Sequence, residues 1–311
     1  MKKKLIVVTG PTASGKTSLS VELARKLSTV IFSADSRQFY KEMSIGTAKP
    51  SLDEMKGVKH FFIDSHSIHQ EVSVANYVSE MIPLLEKEFE NHDSIVLTGG
   101  SGMFIDAVCF GLDDIPHSTE LRSDLTQLYE EKGLDPLLKE LASFDEEYYN
   151  EVDKNNPVRI IRAVEVIRLT GRKYSELRKK TPKDRPFELH YFVLNHPRES
   201  LYDRINLRVE LMIKAGLEEE ARQLYPFKSL QSLNTVGYKE FFDYFEGKTT
   251  RDETIDLIQQ NSRRYAKRQI TWFKRNENVK WLEYSNTEKM IEYILKSIEI
   301  ELDKEEFNLF E

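Results

Sequence analysis

The segment GPTASGKT, residues 10–17, has the residue types and the spacing of a phosphate-binding loop. It satisfies the P-loop pattern G-x-x-x-x-G-K-[ST], and it lies between an apolar run, LIVV, and a helix-period stretch, SLSVELARKL. Loop amides and the helix N-terminus attract anionic oxygens, the lysine adds positive charge, and the threonine hydroxyl can bind Mg²⁺. We therefore predict a phosphate site made by Gly10, Pro11, Thr12, Ala13, Ser14, Gly15, Lys16 and Thr17, with Thr17 as the metal ligand.

A carboxylate that could do chemistry beside this loop is Asp35, in the segment FSADSRQ. The later strand around 94–98 ends in TGGSG and lacks the acidic residue expected there in an ATPase or kinase. Asp35 ends the second predicted strand, at the carboxyl edge where parallel sheets bind ligands. It can act as a base, orient a nucleophile or hold a metal-bound water, or it can only cap a turn. The glycine and lysine of the following loop, IGTAKP at 45–50, can line the same cleft.

The elements that position these residues alternate between strands and helices, which is typical of a parallel sheet covered by helices on both faces. Strands are predicted at Leu5–Thr9, Val30–Ala34, His60–Ile63 and Ser94–Thr98, and helices around 16–28, 74–90 and 101–109. A buried strand returns at 189–195. It is followed by helices near 198–215 and 252–275, a short strand near Val279–Leu282 and a C-terminal helix.

Between these two halves the strand patterns vanish. From about Asp113 to Pro186, helix-period stretches follow one another, and Gly171 ends the last of them. We therefore predict an α/β fold, a P-loop NTPase-like parallel sheet flanked by helices, with an all-helical insertion domain. The core takes residues 1–112 and 187–311, and the insertion takes residues 113–186.

Composition excludes several classes of protein. The chain has 311 residues, 40% of them hydrophobic, which is enough for a substantial core. Its single cysteine, Cys109, excludes an internal disulfide and a cysteine-based zinc site within one chain. No apolar run is long enough for a membrane span or a signal peptide, so we expect a cytoplasmic protein without a membrane partner, and a monomer. The net charge of −7 argues against a wholly basic surface but allows local basic patches.

Six blocks of sequence carry a family resemblance. GPTASGKT, ADSRQFYKEMSIGTAKP, TGGSGMFI, PVRIIRAVEV, VGYKE and AKRQITWF occur in this order between residues 10 and 273. In these blocks the chain resembles the tRNA dimethylallyltransferases, also called tRNA isopentenyltransferases. The resemblance implies transfer of a dimethylallyl group from dimethylallyl diphosphate to the exocyclic N6 amine of the adenosine 3′-adjacent to the tRNA anticodon. The implied partners are dimethylallyl diphosphate and the tRNA anticodon stem-loop.

The resemblance also implies roles for individual residues. Thr12 and Lys16 bind the diphosphate within the P-loop, Mg²⁺ on Thr17 neutralises its charge, and Asp35 contacts the attacking amine and accepts its proton. Arg208, one helical turn from Arg204 in DRINLRVELMI, lies at the leaving group, although arginines at this spacing are usually solvated or paired. The implied tRNA contacts are Asp35, Ser36, Arg37, Gln38, Ser101, Arg122, Val158, Arg159, Ile160, Ile161, Arg162, Asn234, Thr235, Val236, Gly237, Tyr238 and Lys239.

A basic stretch, RRYAKRQITWFKR at 263–275, fits a protein that grips RNA backbone. At helical spacing its six basic residues fall within one arc, and three apolar residues face the other way. We predict tRNA contacts by Arg264, Lys267 and Arg268, with a merely solvated basic face as the alternative.

Four positions depart from the pattern of the family. Ser101 stands for threonine, Phe104 for tyrosine, Val158 for glutamine and Lys239 for arginine. Val158 loses a polar group, so its RNA contact is the weakest of the set. Two other functions stay open at this point. One is a P-loop kinase of a small molecule or nucleotide with Asp35 as base, and the other is a nucleotide-dependent RNA-binding switch.

Overall fold

The strands form one six-stranded parallel sheet with the order β3-β2-β4-β1-β5-β6. The computed structural model describes residues 2–179 and 182–307, with side chains up to residue 298. The strands are β1 Lys4–Thr9, β2 Ile31–Ser33, β3 His60–Phe61, β4 Ser94–Gly99, β5 Glu188–Asn195 and β6 Lys280–Glu283. β1 is buried along its whole length, as expected for a central strand with helices on both faces.

Helices fill the connections between the strands. They are α1 Lys16–Lys26, α2 Leu52–Met55, α3 Val74–Phe89, α4 Gly102–Phe110, α5 Thr119–Lys132, α6 Asp135–Phe144, α7 Glu146–Glu151, α8 Pro157–Thr170, α9 Tyr174–Leu177, α10 Arg198–Lys214, α11 Leu217–Leu224, α12 Tyr238–Phe245, α13 Arg251–Phe273 and α14 Thr287–Phe307. None of the helices in the described part of the chain is long and apolar enough to cross a membrane.

Strand register places the ends of the central strands side by side. Thr9 at the end of β1 pairs with Gly99 at the end of β4, and Ser33 at the end of β2 pairs with Thr98. The three loops that follow these strands therefore leave from one edge of the sheet. They carry the P-loop, Asp35 and the TGGSG segment.

The chain divides into two compact units. One contains residues 1–109 and 185–311, and the other is Phe110–Asp184. The described residues of Phe110–Asp184 contain helices α5 to α9 and no strand. Buried apolar side chains give this unit a core of its own; they include Leu125, Leu137, Leu141, Ile160 and Val164.

The predicted fold class is confirmed, but some helix boundaries are wrong. The helix predicted at 252–275 begins at Arg251, because Thr250 and Glu253 form a capping box, and it ends at Phe273. Lys274 and Arg275 therefore lie outside the helical arc that the sequence assigned to them. Helices α11 and α12 were not predicted at all, since neither is longer than 8 residues.

Candidate active site

The P-loop turns sharply between β1 and α1. Gly15 precedes the first helical residue with φ of 88°, in the left-handed region that favours glycine, and Ala13 also has a positive φ of 62°. The turn buries Ser14, whose Oγ has no hydrogen-bond partner among the described residues. An unpartnered polar atom beside the loop amides is suited to meet a bound anion.

Two side chains bind the P-loop from outside, and a third packs against both of them. Arg204 Nε donates to the Ala13 carbonyl at 2.8 Å, and His196 Nε2 lies 2.7 Å from the Ser14 carbonyl oxygen. Tyr284 stacks on His196, with ring centroids 4.2 Å apart, and lies 5.2 Å from the Arg204 guanidinium. Arg204, to which the sequence assigned no role, thus fixes the loop, and Arg208 is left to face the cavity.

A cavity of about 720 Å³ opens at the carboxyl edge of the sheet. The predicted catalytic residues Thr12, Lys16, Asp35 and Arg208 all line it, as does the predicted metal ligand Thr17. The structure thus brings together residues from the P-loop, the loop after β2 and helix α10.

Lys16 and Arg208 are two of the cations that line this cavity, and neither has an ion-pair partner in the described part of the chain. Burial lowers the pKa of Lys16 to about 8; the Asp35 carboxylate raises it and Arg208 lowers it further. Burial also lowers the pKa of Arg208, and the Asp35 charge opposes the shift. Two partly desolvated cations without a salt bridge favour the binding of an anion.

Asp35 caps a turn and also lines the cavity. Its Oδ1 accepts the Arg37 amide at 3.2 Å, so the carboxylate does cap a turn. No ion pair joins Asp35 to any described residue, and the carboxylate faces the cavity. Tyr265 lies nearby on α13, where burial and the negative charge of Asp35 raise its pKa to about 12.

Gln269 is a cavity residue that the sequence analysis missed. Its Oε1 accepts the Thr12 amide at 2.9 Å, and its Nε2 donates to the Gly100 carbonyl at 2.8 Å. The side chain is buried, on the face of α13 opposite Arg264 and Lys267. The segment AKRQITWF contained this glutamine, but nothing in its pattern indicated a contact with the P-loop.

The loop IGTAKP is held by Glu220 of α11, which was also missed. The Glu220 carboxylate accepts the amides of Ser44, Ile45 and Gly46 and the hydroxyl of Tyr238. A β-carbon on Gly46 would lie 2.6 Å from the Tyr238 ring, so only glycine fits there. Gly46 lines the cavity as predicted, whereas Lys49 does not, because its ammonium pairs with Asp64.

Several predicted tRNA contacts in the core have internal partners. Arg37 donates to backbone carbonyls at 231, 232 and 234, and Gln38 donates to those of Thr47 and Ala48. The Ser101 hydroxyl accepts the Ser36 amide at 3.1 Å. Tyr238, which belongs to a predicted tRNA-contacting stretch, is fully buried, so its side chain is not exposed to RNA in this structure. Asn234, Thr235, Val236, Gly237 and Lys239 line the cavity.

The basic face of α13 is smaller than predicted. Arg264, Lys267 and Arg268 are exposed, and the Arg268 guanidinium lies 5.6 Å from the Tyr265 ring. Arg263 is instead turned to Asn206, with 2.5 Å between Nη1 and Oδ1. Three exposed cations on one helix remain available to bind phosphate.

In the helical unit, a buried carboxylate organises the predicted arginines. Glu165 is fully buried and accepts the Ser118 amide and the guanidinium groups of Arg122 and Arg162. Burial alone would raise the pKa of Glu165, but these hydrogen bonds hold it below its usual value.

The remaining predicted contacts of this unit lie on α8. Ile160 and Ile161, which belong to a predicted tRNA-contacting stretch, are buried in the core of the unit, so their side chains are not exposed to RNA in this structure. Val158, which is 74% exposed, and Arg159 face solvent. The arginines and isoleucines of this segment thus alternate between surface and core, as the helical period requires.

Comparison with known families identifies the family of the chain. A family model described as IPP transferase matches residues 38–276. The chain belongs to this family.

Individual relatives of the chain agree with the family match. tRNA dimethylallyltransferase 1 of Phocaeicola vulgatus is 46% identical over 94% of this chain and 98% of its own. The tRNA dimethylallyltransferase of Christiangramia forsetii is 47% identical over 96% of this chain and 99% of its own.

Solved structures show the same similarity. The full-length tRNA isopentenylpyrophosphate transferase from Bacillus halodurans aligns with a TM-score of 0.73 at 36% identity, over 100% of both chains. A eukaryotic dimethylallyltransferase acting on tRNA aligns with a TM-score of 0.76 at 25% identity, over 90% of this chain and 74% of that one.

Proposed function

We propose that this protein moves a dimethylallyl group from dimethylallyl diphosphate to the N6 amine of the adenosine 3′-adjacent to the tRNA anticodon. The observation that carries the proposal is that the P-loop, the Lys16 and Arg208 cations and the Asp35 carboxylate meet in a single cavity, with no ion pair to these three side chains among the described residues. The names of the relatives support tRNA as the acceptor and dimethylallyl as the group transferred. We expect the chain to act as a monomer in the cytoplasm.

The P-loop side of the cavity supplies the leaving-group chemistry. The bond between the allylic carbon and the diphosphate oxygen breaks, and its electron pair leaves with the diphosphate. Lys16, Arg208 and the loop amides stabilise the negative charge that grows on this oxygen. The Arg208 guanidinium is suited to this role because it can bind two oxygens at once.

Asp35 serves the attacking amine. The N6 nitrogen forms a bond to the allylic carbon and loses one proton, which the Asp35 carboxylate accepts. The turn engages Oδ1, so Oδ2 is the available acceptor. Because an adenine amine is a poor nucleophile, its orientation by Asp35 contributes to the rate along with proton removal.

The donor set fits Mg²⁺ as the metal. Mg²⁺ usually keeps several waters and takes one or two protein oxygens together with substrate phosphates. The Thr17 hydroxyl at the start of α1 can provide one oxygen beside the place of the diphosphate. When bound, the ion neutralises charge on the leaving diphosphate.

Two surfaces are proposed to hold the tRNA. Reaching N6 requires the base to leave its stack, and the protein must bind the backbone on either side. In the core we assign this contact to Arg264, Lys267 and Arg268 on α13. In the insertion, residues 113–186, we assign it to the segment around Arg159 and Arg162.

The test is mass spectrometry of nucleosides from unmodified tRNA incubated with the protein, Mg²⁺ and dimethylallyl diphosphate. A dimethylallyl mass increment on adenosine, formed without ATP, is the expected result. A parallel reaction with ATP and no prenyl donor tests the kinase and switch alternatives. ATP consumption there, with no prenylated adenosine in the first reaction, would overturn the proposal.

A further inference from the structure

Gln269 connects two loops that the reaction must hold in register. One end of its amide binds the P-loop at Thr12, and the other binds the loop after β4 at Gly100. Its donor and its acceptor are both engaged, at 2.8 and 2.9 Å respectively, and the side chain is 5% exposed. A β-carbon on Gly100 would lie 2.4 Å from the glutamine nitrogen, so the glycine makes room for the contact.

The loop after β4 is in turn joined to the segment that carries Asp35. The Ser101 amide donates to the Ala34 carbonyl at 3.2 Å, and the Ser36 amide donates to the Ser101 hydroxyl at 3.1 Å. A continuous set of hydrogen bonds thus runs from Thr12 through Gln269 and the 100–101 backbone to both neighbours of Asp35. Its two ends belong to the diphosphate side and the amine side of the cavity.

We infer that Gln269 is a positioning residue for prenyl transfer, which sets the P-loop at a fixed distance from Asp35. This inference rests on the proposed function. Gln269 acts through Thr12 and Gly100 and does not itself touch the reacting atoms. A displacement of one side of the cavity by about 1 Å lowers rates about 100-fold in enzymes that depend on alignment.

The test compares Gln269→Glu and Gln269→Ala with Gln260→Ala, a control at an exposed glutamine of the same helix. An ionised glutamate can accept the Thr12 amide but cannot donate to the Gly100 carbonyl, whereas a protonated glutamate can do both. At pH 8 we expect kcat for transfer to fall about 100-fold in both Gln269 variants, with little change in KM for tRNA.

The pH profile separates positioning from simple structural support. Activity relative to wild type should recover in Gln269→Glu as the pH falls towards 5.5, and should stay low in Gln269→Ala. The affinity for inorganic pyrophosphate relative to wild type, measured by calorimetry, should likewise recover in Gln269→Glu at low pH and stay low in Gln269→Ala. Wild-type kcat and pyrophosphate affinity in both Gln269 variants at pH 8 would overturn the inference. Absence of prenyl transfer by the wild type would overturn the proposed function instead, and the pyrophosphate comparison would still decide the role of Gln269.

Discussion

The depressed pKa of Lys16 predicts that the affinity for diphosphate falls as the pH rises. Because the pKa of Lys16 in the unliganded protein is about 8, its side chain is mostly charged at pH 7 and mostly neutral at pH 9. The charged fraction drops from about 90% to about 10%, so a site that needs the ammonium should bind about tenfold more weakly at pH 9. Binding at pH 9 should also take up close to one proton, as the diphosphate restores the charge on Lys16.

Isothermal titration calorimetry with inorganic pyrophosphate, in buffers of different ionisation enthalpy, measures both quantities. Pyrophosphate itself titrates in this range, so Lys16→Arg is the matched control, because arginine stays charged throughout. The difference between wild type and this variant in the slope of log affinity against pH isolates the contribution of Lys16. Equal pH dependence and equal proton uptake in the two proteins would refute the argument that Lys16 is desolvated and binds the anion.

Three further predictions concern other parts of the molecule. Asp35→Asn should lower kcat for transfer by about 10²–10⁴-fold and leave tRNA affinity near normal; an unchanged kcat removes Asp35 from the mechanism. Replacing Arg264 and Lys267 by Ala should reduce the slope of log affinity for tRNA against log salt by about 1.5, whereas Lys87→Ala on α3 should not change it. An unchanged slope would make the α13 face structural. Glu165→Gln should lower the free energy of unfolding of the helical unit by about 1–3 kcal/mol. Because the pKa of Glu165 is depressed, its contribution is present above the pKa of an unfolded glutamate and is lost as the pH falls through the folded value. The difference in thermal unfolding between this variant and wild type should therefore shrink in acid; a constant difference contradicts the ion-pair account.

Sequence predicted the parts of the site that depend on local pattern. The spacing within GPTASGKT defines a loop between a strand and a helix, and an apolar strand that ends in a polar residue places Asp35 at the edge of the sheet. Such features need only neighbouring residues to be recognised. The parallel sheet was predictable for the same reason, since its strands are short apolar runs between helices.

The contacts that hold the site were not predictable, because their partners are far apart in the chain. Gln269 meets Thr12 across 257 positions, and Glu220 meets Ser44 across 176. A single polar residue on a helix gives no periodic signal that identifies the hydrogen-bond partner of its side chain. The burial of Ile160 and Ile161 was not foreseen for another reason, since a motif transferred as a block ignores which of its residues the helix turns inward.

The order of strands in the sheet has a consequence for the growing chain on the ribosome. Central strand β1 pairs with β4 on one side and with β5 on the other, and the whole helical unit is synthesised between those two partners. At ordinary rates of translation the roughly 90 residues from β4 to β5 take roughly 5 to 20 s. Throughout that interval β1 presents an apolar edge with unpaired backbone groups, which invites pairing with other chains. Misfolding during synthesis should therefore begin at residues 4–9, where chaperones would be needed before the enzyme has any activity.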